Sequence, residues 1–225
     1  MHPYSVVIAV KNGEKYIQEA IDSIFEQTFK PASIFVVDDA SSDRTVNILK
    51  KSESKLEILK NNETSGQVGA LLSGLKLVRT PLVSFLDADD YWHKSKQEVQ
   101  TELFKDSSIN VVSSGIIEFF STDENFNIQK RMLSLTRLFA ASTFKTSLFN
   151  LVPLSTSFKA TTWQFEWWER ATNLGIKSTQ INFPHMYRRI HSGNMWKAKN
   201  LSRDHDLIEY FRNKLSLESQ SSDSK

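Results

Sequence analysis

The chain has 225 residues, with 28 Lys and Arg against 26 Asp and Glu, a formal net charge of +2 and no cysteine. That length can bury a substantial core, and one α/β domain with additions is a simpler reading than two small domains. The balanced charge gives no ground for nucleic-acid binding, and the absence of cysteine excludes disulfides, thiolate metal sites and cysteine nucleophiles. No signal-like leader opens the chain, and no apolar run approaches the roughly 18 residues of a membrane-spanning helix, so the expectation is a soluble, cytoplasmic protein.

In chain order, Ser5–Val10 is a short β-branched apolar run, as expected for a strand covered on both faces. A helix follows in `GEKYIQEAIDSIFEQTF`, where Ile17, Ala20, Ile21, Ile24 and Phe25 recur at helical spacing. The alternation continues with a strand at Ser33–Val37, a helix in `SDRTVNILKK`, a strand at Leu56–Leu59, a helix over Gly66–Val78 and a strand at Leu82–Leu86. Strand and helix taken in turn predict a doubly wound, mostly parallel α/β sheet with right-handed crossovers. Beyond about residue 105 the pattern is weaker. `NVVSSGIIEFF` reads as one or two strands, residues 127–154 as mixed, `FEWWERATNLG` as a short helix ending at Gly175, and `DLIEYFRNKL` as a packing or docking helix with Leu207, Phe211 and Leu215 on one face. The last ten residues, polar and serine-rich, read as a disordered tail over 216–225.

Two of the predicted strands end in carboxylates. `VVDDASSDRT` places Asp38 and Asp39 after the second, and `LVSFLDADDYW` places Asp87, Asp89 and Asp90 after the fourth. A single aspartate there would serve as a turn former or helix cap, but three within four residues repel one another, and a divalent cation would offset them. In open α/β sheets ligands bind beyond the carboxyl ends of the strands, where both clusters could face one crevice. Mg²⁺ or Mn²⁺ held there by carboxylate would keep positions for phosphate oxygens and water. Neither a Walker loop nor a dinucleotide glycine motif follows the first strand, so the other common phosphate-binding devices are missing.

The order and spacing of `SVVIAVKNGEKYIQEAIDSIFEQTFKPASIFVVDDASSDRT` and `GALLSGLKLVRTPLVSFLDADDYWHKSKQEVQ` resemble the nucleotide-sugar-binding half of family 2 glycosyltransferases, which have the GT-A fold. The resemblance covers about residues 4–104. Over residues 105–215 `FEWWERATNLG` is similar to the family's acceptor-side helix and `YRRIHSGNM` to its later Tyr-Arg-x-His segment, which implies one catalytic domain over 1–215. By that resemblance Asp38 and Asp39 bind the nucleoside, Asp87 and Arg189 serve the diphosphate together with Arg188, and Asp89 with His191 hold Mn²⁺ or Mg²⁺. It further implies a nucleotide-diphospho-sugar donor, UDP-linked by default, a hydroxyl-bearing acceptor and transfer with inversion at the anomeric carbon.

Three departures from the family pattern bear on these expectations. Ala9-Val10-Lys11-Asn12 stands where Pro-x-Tyr-Asn is frequent, and Ala70-Leu71-Leu72 where Ala-Arg-Asn or Ala-Leu-Asn is common. Trp163-Gln164 occupies the place of a Glu-Asp pair whose Asp is the expected catalytic base, and Gln164 cannot abstract a proton. Glu166, two residues on, is the nearest replacement; its alternative role is an ion-paired helix residue. Trp163, Trp167 and Trp168 either stack on sugar rings or pack the core, with packing favoured for two of them. The alternative to catalysis is a nucleotide-sugar-binding or partner-binding protein that has lost its base.

Overall fold

The computed structural model describes residues 1–52, 56–120, 131–133, 137–157 and 162–191. The proposed C-terminal helix and the serine-rich tail lie outside the described residues. The first half alternates as the sequence predicts: β1 (Tyr4–Val10), α1 (Ile17–Phe25), β2 (Ser33–Asp38), α2 (Thr45–Lys51), β3 (Leu56–Lys60), α3 (Gln67–Leu75) and β4 (Leu82–Asp87). β1 lies between β2 and β4, parallel to both, and β3 extends the parallel set beyond β2. The chain thus winds outward from β1 through β2 to β3 and returns across β1 to β4. That reversal is the switch point at which open sheets part to make a ligand crevice.

Strand β1 explains the continuous apolar run. Val6, Ile8 and Val10 pack with Ile17, Ile21 and Ile24 of α1, whereas Val7 on the opposite face packs with Val68 and Leu71 of α3. Both faces are covered, so no polar alternation is needed.

The second half adds β5 (Tyr91–Trp92), α4 (Lys96–Leu103), β6 (Val111–Phe120), β7 (Arg131–Leu133), β8 (Ser142–Lys145), α5 (Leu148–Leu151), α6 (Thr162–Asn173) and β9 (Ser178–Ile190). The sheet order is β3-β2-β1-β4-β8-β6-β9-β5, with β7 paired to β6. β8 runs antiparallel to both β4 and β6, which is where the parallel winding ends. `NVVSSGIIEFF` forms one strand, and α6 begins at Thr162, earlier than the apolar pattern suggests. Helix α4 was not apparent in the periodicity because the side chains it buries are Lys96, Gln97, Gln100 and Thr101. A polar network makes this possible: Gln97 reaches Ser84, Gln100 donates to the Ala141 carbonyl, and the Thr143 hydroxyl donates to Gln100. Periodicity of apolar residues cannot report a helix whose inner face is satisfied by hydrogen bonds.

All three tryptophans of α6 are core residues, exposed by 1%, 0% and 9% for Trp163, Trp167 and Trp168. A spacing of four residues puts Trp163, Trp167 and Ala171 on the inner face, with the two tryptophans against Phe139 and Phe144. The Trp167 indole N–H donates to the Val152 carbonyl at 2.8 Å, so its one polar atom is satisfied without ligand.

Beneath α4 lies a buried basic group. Lys96 is fully buried, its ammonium 4.1 Å over the Trp92 ring and donating to Gln100, and burial lowers its pKa. His185 on β9 is 3% exposed, its Nδ1 lacks a hydrogen-bond partner, and burial with the charges of Lys96 and His93 pushes its pKa down to about 4. An unfolded histidine titrates near 6.5, so between about pH 6.5 and 4 the unfolded chain takes up a proton that the folded one refuses. Stability should therefore fall with pH through that window. The expected result is a melting temperature that drops on acidification from about pH 7 to 4.5, with a shallower dependence in His185→Phe; parallel curves for the two proteins would discount this histidine.

Candidate active site

The acidic strand ends converge as the topology requires. Asp38 is in register with Val10, and Asp87 with Ala9, so β2 and β4 end level on either side of β1. Their two-strand separation is about 10 Å.

On the β2 side, both Asp38 oxygens accept from the Ser41 backbone N–H, at 3.2 and 3.3 Å, which fixes the turn after the strand. Ala40, inside that turn, has φ of 60°, and the left-handed backbone helps the carboxylate fold back on the N–H. Asp39 is 6% exposed and accepts from Asn61 Nδ2 at 2.7 Å and from the Gly66 N–H at 2.9 Å, with the Lys11 ammonium 3.8 Å away. Gly66 has φ of 113°, a conformation that costs a side-chain-bearing residue energy, and this conformation aims its N–H at Asp39. A Cβ on Gly69, one turn into α3, would overlap the Thr64 carbonyl, so the loop lies flush on the helix. Asn61 and Gly66 were not singled out in the sequence; the polar run `NNETSG` before α3 was the available signal.

Asp39→Ala should weaken binding of uridine and UDP alike in the absence of metal by about tenfold, the worth of a charge-assisted hydrogen bond, while inorganic phosphate binding is unchanged. Calorimetry with the three ligands distinguishes this outcome from an equal loss for all, which would indicate a damaged loop.

On the β4 side, Asp87 accepts from Gln67 Nε2 at 2.8 Å. Burial, reinforced by the Asp89 charge, raises its pKa to about 6, with Arg188 and the Gln67 hydrogen bond opposing. Asp90 is 3% exposed and its pKa is likewise raised, first by burial and then by Asp89 and Asp87. Its carboxylate accepts the Arg189 backbone N–H at 2.8 Å, which ties the aspartate loop to β9. Asp89 is more open than Asp90: its Oδ2 lies 3.0 Å from His191 Nε2, and its side chain is 32% exposed.

The end of β9 supplies the remaining groups. Arg189 donates through Nε to the Asp89 carbonyl at 3.0 Å, pairs with Glu19, and lies 4.5 and 4.6 Å over the rings of Tyr16 and Phe119. Its guanidinium thus sits under the aspartate loop, which it holds by the main chain. Arg188 on the other face of β9 pairs with Glu118 at 3.2 Å, and its charge favours the ionised forms of both Asp87 and Asp90. His191 packs against Tyr16 at 4.9 Å, an orientation that presents Nε2 to Asp89.

The residues that the resemblance assigns to the acceptor side lie on α6. Gln164 accepts the Phe139 backbone N–H at 3.1 Å, capping a short 3-10 turn, so at this position the amide has a structural task. Glu166 is held by both guanidinium arms of Arg170, one of them at 3.0 Å, and Arg170 also donates to the Pro153 carbonyl at 2.7 Å. Trp163 at the start of the helix donates its indole N–H to Gln67 Oε1 at 3.3 Å, which connects α6 to the β4 strand end.

Among the described residues no group of three or more His, Asp or Glu side chains is placed to hold a metal ion. Asp89 and His191 provide two converging donors, one carboxylate oxygen and one imidazole nitrogen, and any further ligands would come from phosphate oxygens and water.

A mostly parallel sheet with a switch point at β1, carboxylates at the ends of both flanking strands and a histidine returned to them by β9 is the architecture of a nucleotide-sugar-binding GT-A protein. Residues 5–183 match the family described as Glycosyl transferase family 2, and the chain belongs to that family and is a glycosyltransferase. It is 28% identical over 220 residues to the Escherichia coli UDP-Glc:alpha-D-GlcNAc-diphosphoundecaprenol beta-1,3-glucosyltransferase WfaP, covering 93% of this chain and 86% of that one. It is also similar to the dTDP-rhamnosyl transferase RfbG of Shigella flexneri, 30% identical over 55% of this chain and 45% of the relative. Among solved structures it superposes on S. aureus TarS 1-349 in complex with UDP-GlcNAc with a TM-score of 0.71 and 20% identity, over 88% of this chain and 62% of that one. The chain therefore spans most of one curated relative and less than two thirds of others. No helix among the described residues is long and apolar enough to cross a membrane.

Proposed function

We propose that this glycosyltransferase transfers a sugar from a nucleotide-diphospho-sugar to an acceptor hydroxyl, with a divalent metal and with inversion at the anomeric carbon. The observation that carries the reading is the Asp89–His191 pair at 3.0 Å, which stands beside Asp87 and across β1 from Asp39. Asp39, with Asp38 shaping its turn, would receive the nucleoside. Asp87 would face the diphosphate side, and Arg188 and Arg189 would set the field and the backbone of the aspartate loop. Asp89 and His191 would hold Mn²⁺ or Mg²⁺, which when bound offsets the charge growing on the leaving diphosphate.

Glu166 is the proposed base. It would take the acceptor O–H proton as the oxygen bonds to the anomeric carbon and the bond from that carbon to the diphosphate breaks. Arg170 holds both oxygens of the Glu166 carboxylate, the ion-paired helix role that is the alternative for this residue, so proton abstraction would require the acceptor hydroxyl to approach beside that pair. UDP-sugars are the first donors to test, since WfaP is named for UDP-Glc, and dTDP-sugars the second, since RfbG is named for a dTDP-linked donor. The acceptor named for WfaP, a sugar on a diphospholipid, sets the first acceptor class.

The test is a panel of UDP- and dTDP-sugars in Mn²⁺ and in chelator, measuring binding, slow donor hydrolysis and transfer to a lipid-linked or free sugar hydroxyl. Metal-dependent binding with turnover of one donor supports the proposal. Absence of binding to every donor in both conditions would overturn it.

A further inference from the structure

We propose that Gln67 is a positioning residue which holds the Asp87 carboxylate for the donor diphosphate and couples the acceptor helix α6 to that carboxylate. This deepens the nucleotide-sugar reading above and rests on it. The side-chain amide is used at both ends: Nε2 donates to Asp87 Oδ1 at 2.8 Å, and Oε1 accepts the Trp163 indole N–H at 3.3 Å. A planar amide bridging two partners transmits the placement of one to the other, because its donor and acceptor cannot be moved independently.

The position in the chain strengthens the case. Gln67 is the first residue of α3, and Gly66 immediately before it donates its backbone N–H to Asp39 Oδ2 at 2.9 Å. Two successive residues therefore address the carboxylates on both sides of β1, Asp39 by main chain and Asp87 by side chain. Trp163 is anchored in the core, 1% exposed and edge-on to Phe139 at 4.7 Å, so the far end of the bridge is fixed by packing. Among the described residues Gln67 is the side-chain hydrogen-bond donor to Asp87, and a carboxylate so placed would rotate if the amide were removed.

The test uses the full chain and compares UDP with uridine by calorimetry in Mn²⁺, alongside thermal melting. Gln67→Leu keeps the volume and removes both hydrogen bonds. Gln67→Asn keeps an amide but is one methylene too short for the bridge, and serves if the leucine variant folds poorly. Both should lose about tenfold in UDP affinity, in the range of a hydrogen bond to a charged group, while uridine affinity stays within about twofold. Trp163→Phe, which frees the far end of the amide, should lose about threefold for UDP, and the Gln67→Leu/Trp163→Phe double variant should be no weaker than Gln67→Leu. Unchanged UDP affinity in both Gln67 variants, an equal loss for uridine, or additive losses in the double variant would overturn the assignment while leaving the donor reading intact. A parent protein that binds neither UDP nor any other nucleoside diphosphate would instead remove the donor reading, and this inference with it.

Discussion

Asp89→Ala is expected to reduce UDP affinity in Mn²⁺ to the value measured in chelator, a loss of about a hundredfold or more, and to abolish transfer. The carboxylate is partly exposed and is the one that meets His191, so its loss removes one of two proposed protein ligands and releases the other. The same substitution should not cost stability. The Asp89 charge raises the pKa of both Asp87 and Asp90, so removing it relieves repulsion on two buried carboxylates. A melting temperature equal to or above that of the parent, together with lost metal-dependent binding, is the combined signature. Unchanged UDP affinity, or identical affinities of the parent in metal and chelator, would reject the metal assignment, and a lower melting temperature would mean that Asp89 holds the loop together through His191.

Glu166→Gln is expected to lower kcat by about 10² to 10⁴, the usual contribution of a positioned base, with donor KM changed by less than about twofold. The amide preserves size and can still accept from Arg170, so the helix should stay in place. That separation matters because the Glu166–Arg170 pair also has a structural meaning: Arg170 joins α6 to the Pro153 carbonyl. Arg170→Met serves as the control, since it removes the orienting group and leaves the carboxylate. It should lower kcat less than Glu166→Gln if the carboxylate itself takes the proton. Transfer by Glu166→Gln at the parent rate would exclude Glu166, and Glu169 on the same helix would be the next carboxylate to substitute.

Gln164 illustrates how the two halves of the chain differ. By resemblance Gln164 stands where the family usually has a carboxylate base, and the fold gives that amide a partner in the Phe139 N–H. The amide caps a short turn here, and under the proposed function proton abstraction falls to Glu166 two residues on.

Local pattern was sufficient where each element buries apolar side chains at its own period. Strands β1 to β4 and helices α1 to α3 follow from runs such as `SVVIAV` and from Ile17, Ala20, Ile21 and Ile24, because covering both faces of a parallel sheet demands those residues in that order. The carboxylates at the ends of β2 and β4 were legible for the same reason, since a strand's end is set by its own sequence. Tertiary structure alone decided which strand ends stand together. Placing β1 between β2 and β4 sets Asp39 and Asp87 on either side of the end of β1, and pairing β9 with β6 and β5 returns His191 to Asp89 across 102 residues. It also decided the roles of polar residues with no periodic signature: Lys96 and Gln100 buried under α4, Arg189 enclosed below the aspartate loop, and Gln67 bridging Asp87 to Trp163. Hydrophobic burial writes its period along the chain. A hydrogen bond between residues far apart in sequence leaves no such mark, because each partner's side chain is defined only once the other has been brought to it.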